Sequence, residues 1–240
     1  MMADLDFYFD PVCPFAWMTS KWVRTVASQR NYQVEWRFIS LRMVNAEVDY
    51  DSHFPLGYER GHTAGLELLR VAAALRSTHG AEAVGRLYAA YGAEIFDSEP
   101  GRREELNRDS VAFVTPILAQ LGLPTDLAES ALDTSFDPEI RAETDRALSL
   151  TGRDVGTPIL HFEPPEGTAL FGPVISRLPD PSEAIALWEH VVALSRFGGF
   201  AELKRSLRET PQLKGLGIDV GQIGAEEDWQ QGHRRDAVDS

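Results

Sequence analysis

The alternation of apolar and polar residues predicts a β-α-β unit at the start of the chain. Residues 5–9 are mostly apolar, which is typical of a buried strand, and residues 14–29 have helical spacing. Residues 33–41 alternate apolar and polar side chains, which indicates a second strand. Because a short helical crossover joins the two strands, we expect them to be parallel and the connection to be right-handed.

A long helical region follows. From residue 50 to residue 151 the apolar spacing is helical, with almost no strand signal. The predicted helices, separated by Gly and Pro breaks, are 66–75, 84–91, 110–121, 126–132 and 138–150. This pattern predicts a helical subdomain inserted into a sheet.

Strand character returns after the helical region. Residues 158–162 and 168–171 flank a Pro-Pro-Glu-Gly turn, so they predict a hairpin. An amphipathic helix is predicted at 181–194 and a short one at 200–207. Residues 209–240 are rich in Gly, Gln and charge, and we expect a loosely ordered tail there.

Composition narrows the function classes. The 240 residues include 23 basic and 37 acidic side chains, a net charge of −14, which disfavours nucleic acid as a partner. No apolar run is long enough to span a membrane, and the N-terminus lacks the features of a secretory signal. With a single cysteine, these features predict a cytoplasmic protein with no membrane partner.

That cysteine, Cys13, lies between the first strand and the first helix, followed by Pro14. Proline suits the first helical position, so Cys13 is expected at or next to the N-cap, facing free amides. The helix dipole there lowers a cysteine pKa from about 8.5 toward about 3.5–7.5, so a reactive thiolate is expected. The alternative is a small, buried, inert residue. Ala16 stands where a C-x-x-C pair has its second thiol, so no disulfide can form there.

A second segment supports a site at Cys13. Gly156-Thr157-Pro158 immediately precedes the predicted hairpin strand. Pro158 is a candidate cis-proline, which would bring Thr157 and Pro158 against the cysteine, although most X-Pro bonds are trans.

Aromatic residues near Cys13 are candidates for a groove that binds a flat apolar substrate. Phe15 and Trp17 are the predicted contacts, whereas Phe7 and Phe9 fit a core position better.

Two histidines at the start of the helical region are weaker candidates for the site. His53 and His62 could line the same groove, but a solvent-exposed or capping role is favoured. Asp49, Asp51 and His53 alternate, yet no closed ligand set lies nearby, so no metal site is predicted.

These motifs together resemble the DsbA family, and within it the cytosolic branch of mycothiol-dependent nitroreductase-like oxidoreductases. The resemblance covers roughly residues 4–207 and includes the segment 170–175. Members of that branch typically carry C-P-W-C followed by Trp. Cys13, Pro14 and Trp17 match this motif, Phe15 replaces one aromatic residue by another, and Ala16 departs from it.

The resemblance implies an α/β protein with a thioredoxin-like fold and a large all-helical insertion. The thioredoxin-like domain would be discontinuous, at 1–48 and 152–208, with the helical subdomain at 49–151 and the tail at 209–240. A homodimer is a possible assembly.

Three functions are open at this point. The first is a thiol-dependent oxidoreductase in which Cys13 is a monothiol nucleophile toward small disulfides or electrophiles. The resemblance implies mycothiol or a similar small thiol as co-substrate, with no tightly bound cofactor. The second is an enzyme similar to kappa-class glutathione transferases or hydroxychromene-carboxylate isomerases, which activates a bound thiol. The third is a non-catalytic thiol-binding protein.

Overall fold

A four-stranded mixed sheet forms the centre of the molecule. It comprises β1 (Leu5–Phe9), β2 (Val34–Phe38), β3 (Ile159–Phe162) and β4 (Ala169–Phe171), in the order β2-β1-β3-β4. As predicted, β1 is parallel to β2, and β3 and β4 form an antiparallel hairpin. β3 is antiparallel to β1, which places the end of β1 beside the start of β3.

The structure is a computed structural model and describes residues 3–205, 207–230 and 233–234. Its first helix, α1 (Pro14–Arg30), begins directly after Cys13, with a proline in its first turn, and ends at Asn31 in the left-handed conformation (φ 51°). The helix packs on the sheet through buried residues that include Trp22 and Val26. Cys13 is thereby fixed at the boundary between β1 and α1.

The connection from β2 to β3 is helical, as predicted. Its α-helices are α2 (Leu41–Val44), α3 (Tyr50–His53), α4 (Tyr58–His79), α5 (Ala81–Gly92), α6 (Arg102–Arg108), α7 (Ser110–Gln120) and α8 (Asp137–Thr151). A π-helical turn covers Ala93–Asp97, and 3₁₀ segments cover Thr125–Leu132 and Thr134–Phe136. No helix in the described part of the chain has the length and apolar character needed to cross a bilayer.

The inserted helices and the sheet share one hydrophobic core instead of having separate cores. Phe9 of β1 stacks on Tyr88 of α5, with ring centroids 3.9 Å apart. The end of α5 also approaches α1 closely, because a Cβ atom on Gly92 would lie 2.1 Å from Cε3 of Trp17. Only glycine permits this approach, so Gly92 fixes the distance between the insertion and the helix that follows Cys13.

The C-terminal part differs from the prediction. Helix α9 (Ala184–Arg196) is present, but the predicted short helix at 200–207 is wrong: residues 200–205 are irregular and the chain continues as strand β5 (Leu207–Glu209). β5 pairs with β6 (Glu226–Gln230), which pairs in turn with β7 (His233–Arg234). Pairing with β6 places Leu207, the last residue of the predicted helix, in an extended strand.

Within the expected loosely ordered tail, residues 212–216 pack against the rest of the protein. Leu213 is fully buried, and the amide of Gln212 donates to the carbonyl of Ser176 at 2.7 Å. A 3₁₀ turn at Lys214–Leu216 lies so close to residues 95–96 that a Cβ on Gly215 would be 2.5 Å from the carbonyl oxygen of Ile95. Residues 235–240 of the predicted tail lie outside the described residues.

Candidate active site

Cys13 is the N-cap residue of α1, and its thiol is hydrogen-bonded to the backbone of Ala16 and of Thr157. Sγ accepts a hydrogen bond from the amide of Ala16 at 3.4 Å, and the thiol donates one to the carbonyl oxygen of Thr157 at 3.4 Å. The residue is 7% exposed. Its position agrees with the prediction, and the Ala16 amide is one of the free donors expected in the first helical turn.

Thr157 is fixed beside the cysteine by a second hydrogen bond. Its hydroxyl donates to the carbonyl oxygen of Tyr8, in β1, at 2.9 Å. The Thr157–Pro158 peptide bond is cis. The Gly-Thr-Pro segment at 156–158 therefore lies next to Cys13, as predicted, and the Thr157 carbonyl makes the contact.

A buried carboxyl group, that of Asp10, supports the turn before Cys13. One of its oxygens accepts from the amide of Val12 at 3.0 Å, and the other accepts from the amide of Leu41 at 2.7 Å. Burial raises the pKa of Asp10 to about 7, although both amide hydrogen bonds lower it. Asp10 thus links the β1–α1 turn to the start of α2, whose first residue, Leu41, also lines the site.

The expected low pKa of Cys13 is not found. Burial raises the pKa of the thiol to about 12, and the amide hydrogen bond from Ala16 opposes this shift without cancelling it. The charge of Asp10 raises the pKa further, whereas that of Arg208 lowers it. The prediction of a resting thiolate is therefore wrong, because it considered the helix terminus but not the desolvation of the sulfur.

Cys13 opens onto a cavity of about 800 Å³. Four of the predicted site residues line it: Cys13, Pro14, Phe15 and Thr157. The cavity is large enough for a small thiol together with a second molecule. Other lining residues come from the helical insertion, from the segments before β3 and after β4, and from the C-terminal segment: Asn45, Phe54, Tyr58, His62, Arg103, Asn107, Val155, Val174, Arg208, Pro211 and Leu216.

Two predicted contacts lie elsewhere. Trp17 is 4% exposed, and its ring packs against Tyr88 while its Nε1–H donates to Asp97 at 3.2 Å. Pro158 is buried behind Thr157. Neither residue lines the cavity. Both are packed beneath residues that do, and they do not make the substrate contact predicted for them. The reason for Trp17 is geometric, since its side of α1 faces the inserted helices.

Arg208 lines the cavity and was not predicted from the sequence. It lies in β5, half-buried, and its positive charge lowers the pKa of Cys13. Burial lowers the pKa of Arg208 itself, and the interaction with Cys13 raises it. The local sequence has helical spacing, so nothing in it indicates that this arginine returns to the cysteine.

His62 is buried, contrary to the exposed or capping role favoured from the sequence. It is 9% exposed, and its Nδ1 is hydrogen-bonded to the hydroxyl of Tyr50 at 2.9 Å. Burial, and then the charges of Arg42 and Arg103, lower the pKa of His62 to about 4. The imidazole on the cavity wall is therefore neutral at neutral pH. His53 is exposed, as expected.

The described residues of the site have no metal-binding geometry. Among the residues that the structure describes, no group of three or more His, Cys, Asp or Glu side chains is placed to hold a metal ion. The polar groups on the cavity wall include one thiol, a neutral imidazole, a phenol, and arginine, carboxylate and side-chain amide groups.

Comparison with known proteins agrees with the family resemblance. Residues 12–205 match the profile of the Rv2466c-like family, which is described as mycothiol-dependent nitroreductase Rv2466c. Uncharacterized protein Rv2286c of Mycobacterium tuberculosis (strain ATCC 25618 / H37Rv) is 34% identical over 206 residues, covering 85% of this chain and 82% of the relative.

Solved structures share the fold at low sequence identity. A 2-hydroxychromene-2-carboxylate isomerase superposes with a TM-score of 0.51 at 13% identity, covering 83% of this chain and 99% of the other. The cytosolic disulfide reductase DsbM from Pseudomonas aeruginosa superposes with a TM-score of 0.50 at 16% identity, covering 79% and 98%. The predicted thioredoxin-like α/β fold with a helical insertion is confirmed.

Proposed function

The chain belongs to the Rv2466c-like family of mycothiol-dependent nitroreductases, and on that premise we propose that it is a thiol-disulfide oxidoreductase with Cys13 as its single nucleophile. Family membership supports the general class of activity, that of a thiol-dependent oxidoreductase or isomerase. The proposal adds the monothiol cycle, the role of Cys13 and a small thiol as co-substrate.

One observation carries the proposal. The only thiol of the chain caps α1 and opens onto the cavity, where the Ala16 amide donates to its sulfur. Once the thiol loses its proton, that amide and the positive end of the helix stabilise the anion. Ala16 is completely buried and carries no thiol, so the first covalent adduct cannot be resolved inside the protein.

The cycle has two exchanges. In the first, the Cys13 thiolate attacks one sulfur of a disulfide, a Cys13–sulfur bond forms, the substrate's sulfur–sulfur bond breaks, and the departing thiolate takes a proton. In the second, the thiolate of an external small thiol attacks the mixed disulfide. It forms a new disulfide with the substrate sulfur, and Cys13 leaves and is reprotonated. The net reaction exchanges one thiol for another and consumes no further oxidant or reductant.

Mycothiol is the proposed co-substrate, and the name of the family supports this choice. The size of the cavity also supports it, because about 800 Å³ accommodates a thiol larger than cysteine. The partner substrate is a small disulfide or an electrophile.

A second candidate function is an enzyme that activates a bound thiol, with Cys13 as a hydrogen-bonding residue. The observation that favours it is the raised pKa of Cys13, whose proton is donated to the Thr157 carbonyl. In such an enzyme the α1 amides would stabilise the thiolate of the bound molecule, and no bond to Cys13 would form.

Comparing the turnover of one substrate by the unaltered chain and by a Cys13 variant distinguishes the two candidate functions. Mycothiol-dependent reduction of a small disulfide is measured with the unaltered chain and with Cys13→Ser, which retains a hydrogen-bond donor at the N-cap. The oxidoreductase loses all turnover in the variant. Turnover that survives Cys13→Ser contradicts the proposal and supports the bound-thiol enzyme.

A further inference from the structure

His62 and Cys13 reach the same cavity because α4 packs tightly against the turn before the cysteine. Gly65 makes this packing possible: a Cβ there would lie 2.6 Å from Oδ1 of Asp10 and 2.8 Å from Cγ2 of Val12. His62 precedes Gly65 by three residues, so the two lie on one face of the helix. The contact at Gly65 therefore holds His62 on the wall of the Cys13 cavity.

The hydrogen bonds around His62 fix which nitrogen carries the proton. The hydroxyl of Tyr50, a residue that is 8% exposed, is 2.9 Å from Nδ1 of His62, and the described residues offer no other acceptor for its proton. Because a buried phenol needs an acceptor for its proton, the Tyr50 hydroxyl donates to Nδ1. The neutral imidazole then carries its proton on Nε2.

Aromatic rings surround this imidazole on three sides. Tyr50, Phe54 and Tyr58 meet the His62 ring edge-on, at interplanar angles of 72°, 78° and 74°. Phe54 and Tyr58 stack on each other with centroids 5.4 Å apart. Of these residues, Phe54, Tyr58 and His62 line the cavity. This end of the cavity is therefore flat-walled and apolar, with a polar N–H among the rings.

We propose that the Nε2–H of His62 is a binding donor that orients an uncharged aromatic substrate carrying a hydrogen-bond acceptor, while the substrate's sulfur reaches Cys13. This inference rests on the proposed function, because it takes the ligand to be a disulfide or thiol adduct. In the part of the chain that is described, Nε2 has no protein hydrogen-bond partner, so a ligand atom can take that place.

The charges near His62 favour the neutral ring. The guanidinium of Arg42, which packs over the Tyr50 ring, and that of Arg103 on α6 are both cations, and Glu59 is paired with Arg42 at 3.0 Å. Protonation of the imidazole would add a third positive charge in a buried place. The donor therefore stays neutral throughout the pH range in which a thiol exchange is measured.

Binding without chemistry tests this inference. In Cys13→Ala protein, equilibrium dissociation constants are measured for 4,4′-dithiodipyridine and for its isostere diphenyl disulfide, which lacks the acceptor nitrogen. We expect the pyridyl compound to bind about three- to tenfold more tightly, the effect of one neutral hydrogen bond. The preference is lost in His62→Phe and kept in His62→Gln, whose amide supplies an N–H at a similar distance.

Equal binding of the two disulfides, or a preference that persists in His62→Phe, overturns the inference. Nitrogen NMR of Cys13→Ala protein gives a second reading that needs no change at His62. Nε2 should be protonated and Nδ1 unprotonated from pH 8 to pH 5, and the opposite tautomer contradicts the assignment. Neither measurement depends on a covalent step, so the proposed function can fail while this inference holds, and the reverse is also true.

Discussion

The Cys13 thiol donates a hydrogen bond to the carbonyl oxygen of Thr157, 3.4 Å away, although 144 positions separate the two residues in the sequence. A carbonyl oxygen accepts hydrogen bonds and repels an anion, so this contact favours the protonated sulfur. The Ala16 amide on the other side favours the thiolate. The reactivity of the site depends on the balance between these two neighbours and on the exclusion of water.

The first prediction concerns the pH dependence of Cys13 alkylation. Because burial raises the pKa of Cys13 to about 12, the reactive thiolate is rare at neutral pH. The rate with iodoacetamide should rise about tenfold per pH unit from pH 7 to pH 10 without a plateau. Intact mass gives the rate, and the urea-unfolded chain serves as the control, with an ordinary cysteine pKa. A plateau below pH 8 in the folded protein would contradict the raised pKa.

The second prediction concerns Arg208. Its charge lowers the pKa of Cys13, so Arg208→Gln should slow alkylation at pH 8.5 about two- to fourfold, the effect of one partly screened cation. Arg205→Gln is the matched control, because Arg205 lies on the same segment and is exposed. The idea fails if the two variants react at the same rate.

The third prediction uses two glycines of α4. A Cβ on Gly65 would collide with Asp10 and Val12, whereas the nearest atom to a Cβ on Gly61 is 4.0 Å away. Gly65→Ala should therefore lower the free energy of unfolding by about 1–3 kcal/mol. Gly61→Ala should leave it unchanged or raise it by up to about 1 kcal/mol through helix propensity. Denaturant titration of both variants measures this, and equal effects would show that α4 does not approach the Cys13 turn as closely as described.

The fourth prediction is a pH dependence of stability. The pKa of His62 is lowered to about 4, so the unfolded chain gains a proton near pH 6.5 while the folded protein stays neutral. His62 therefore destabilises the fold as the pH falls from 6.5 toward 4. Between pH 7 and pH 5 its contribution is a loss of about 1–2 kcal/mol. His62→Gln removes this loss, and the remaining ionisable groups are common to both proteins.

Asp10 acts in the opposite direction over the same range. Its pKa is raised to about 7, so the folded protein binds a proton before the unfolded chain does, and acidification from pH 7 toward pH 4 stabilises the fold. The free energy of unfolding is measured at pH 7 and at pH 5 for both proteins. On going from pH 7 to pH 5 it should fall less, or rise more, in His62→Gln than in the unaltered chain. An identical change in both proteins would mean that His62 is not held neutral.

The sequence predicted the elements whose signals are local. Three predictions rested on patterns of neighbouring residues: the strand at residues 5–9, the start of a helix at Pro14, and the inserted helices. The structure contains all three. The position of Cys13 at the N-cap also follows from local rules, since Pro14 is compatible with the first helical turn. The fold and the position of Cys13 at the start of α1 were therefore predictable.

The features that were missed depend on distant parts of the chain. Desolvation of Cys13 results from packing by segments far away in the sequence, so the helix terminus alone gave the wrong direction for its pKa. Arg208 is placed at the cavity by the pairing of β5 with β6, which the residues around Arg208 do not predict. Trp17 is an aromatic residue close to Cys13 in the sequence, but its ring is buried against Gly92, whose lack of a side chain leaves room for it.

The most direct test of the account is the intact mass of the native protein after exposure to a small disulfide and then to mycothiol. At pH 8.5 we predict one mixed disulfide per chain, located at Cys13 and absent from Cys13→Ser, which mycothiol removes to restore the free thiol. An unmodified Cys13, in a protein that still turns over the same disulfide with mycothiol, would contradict the account.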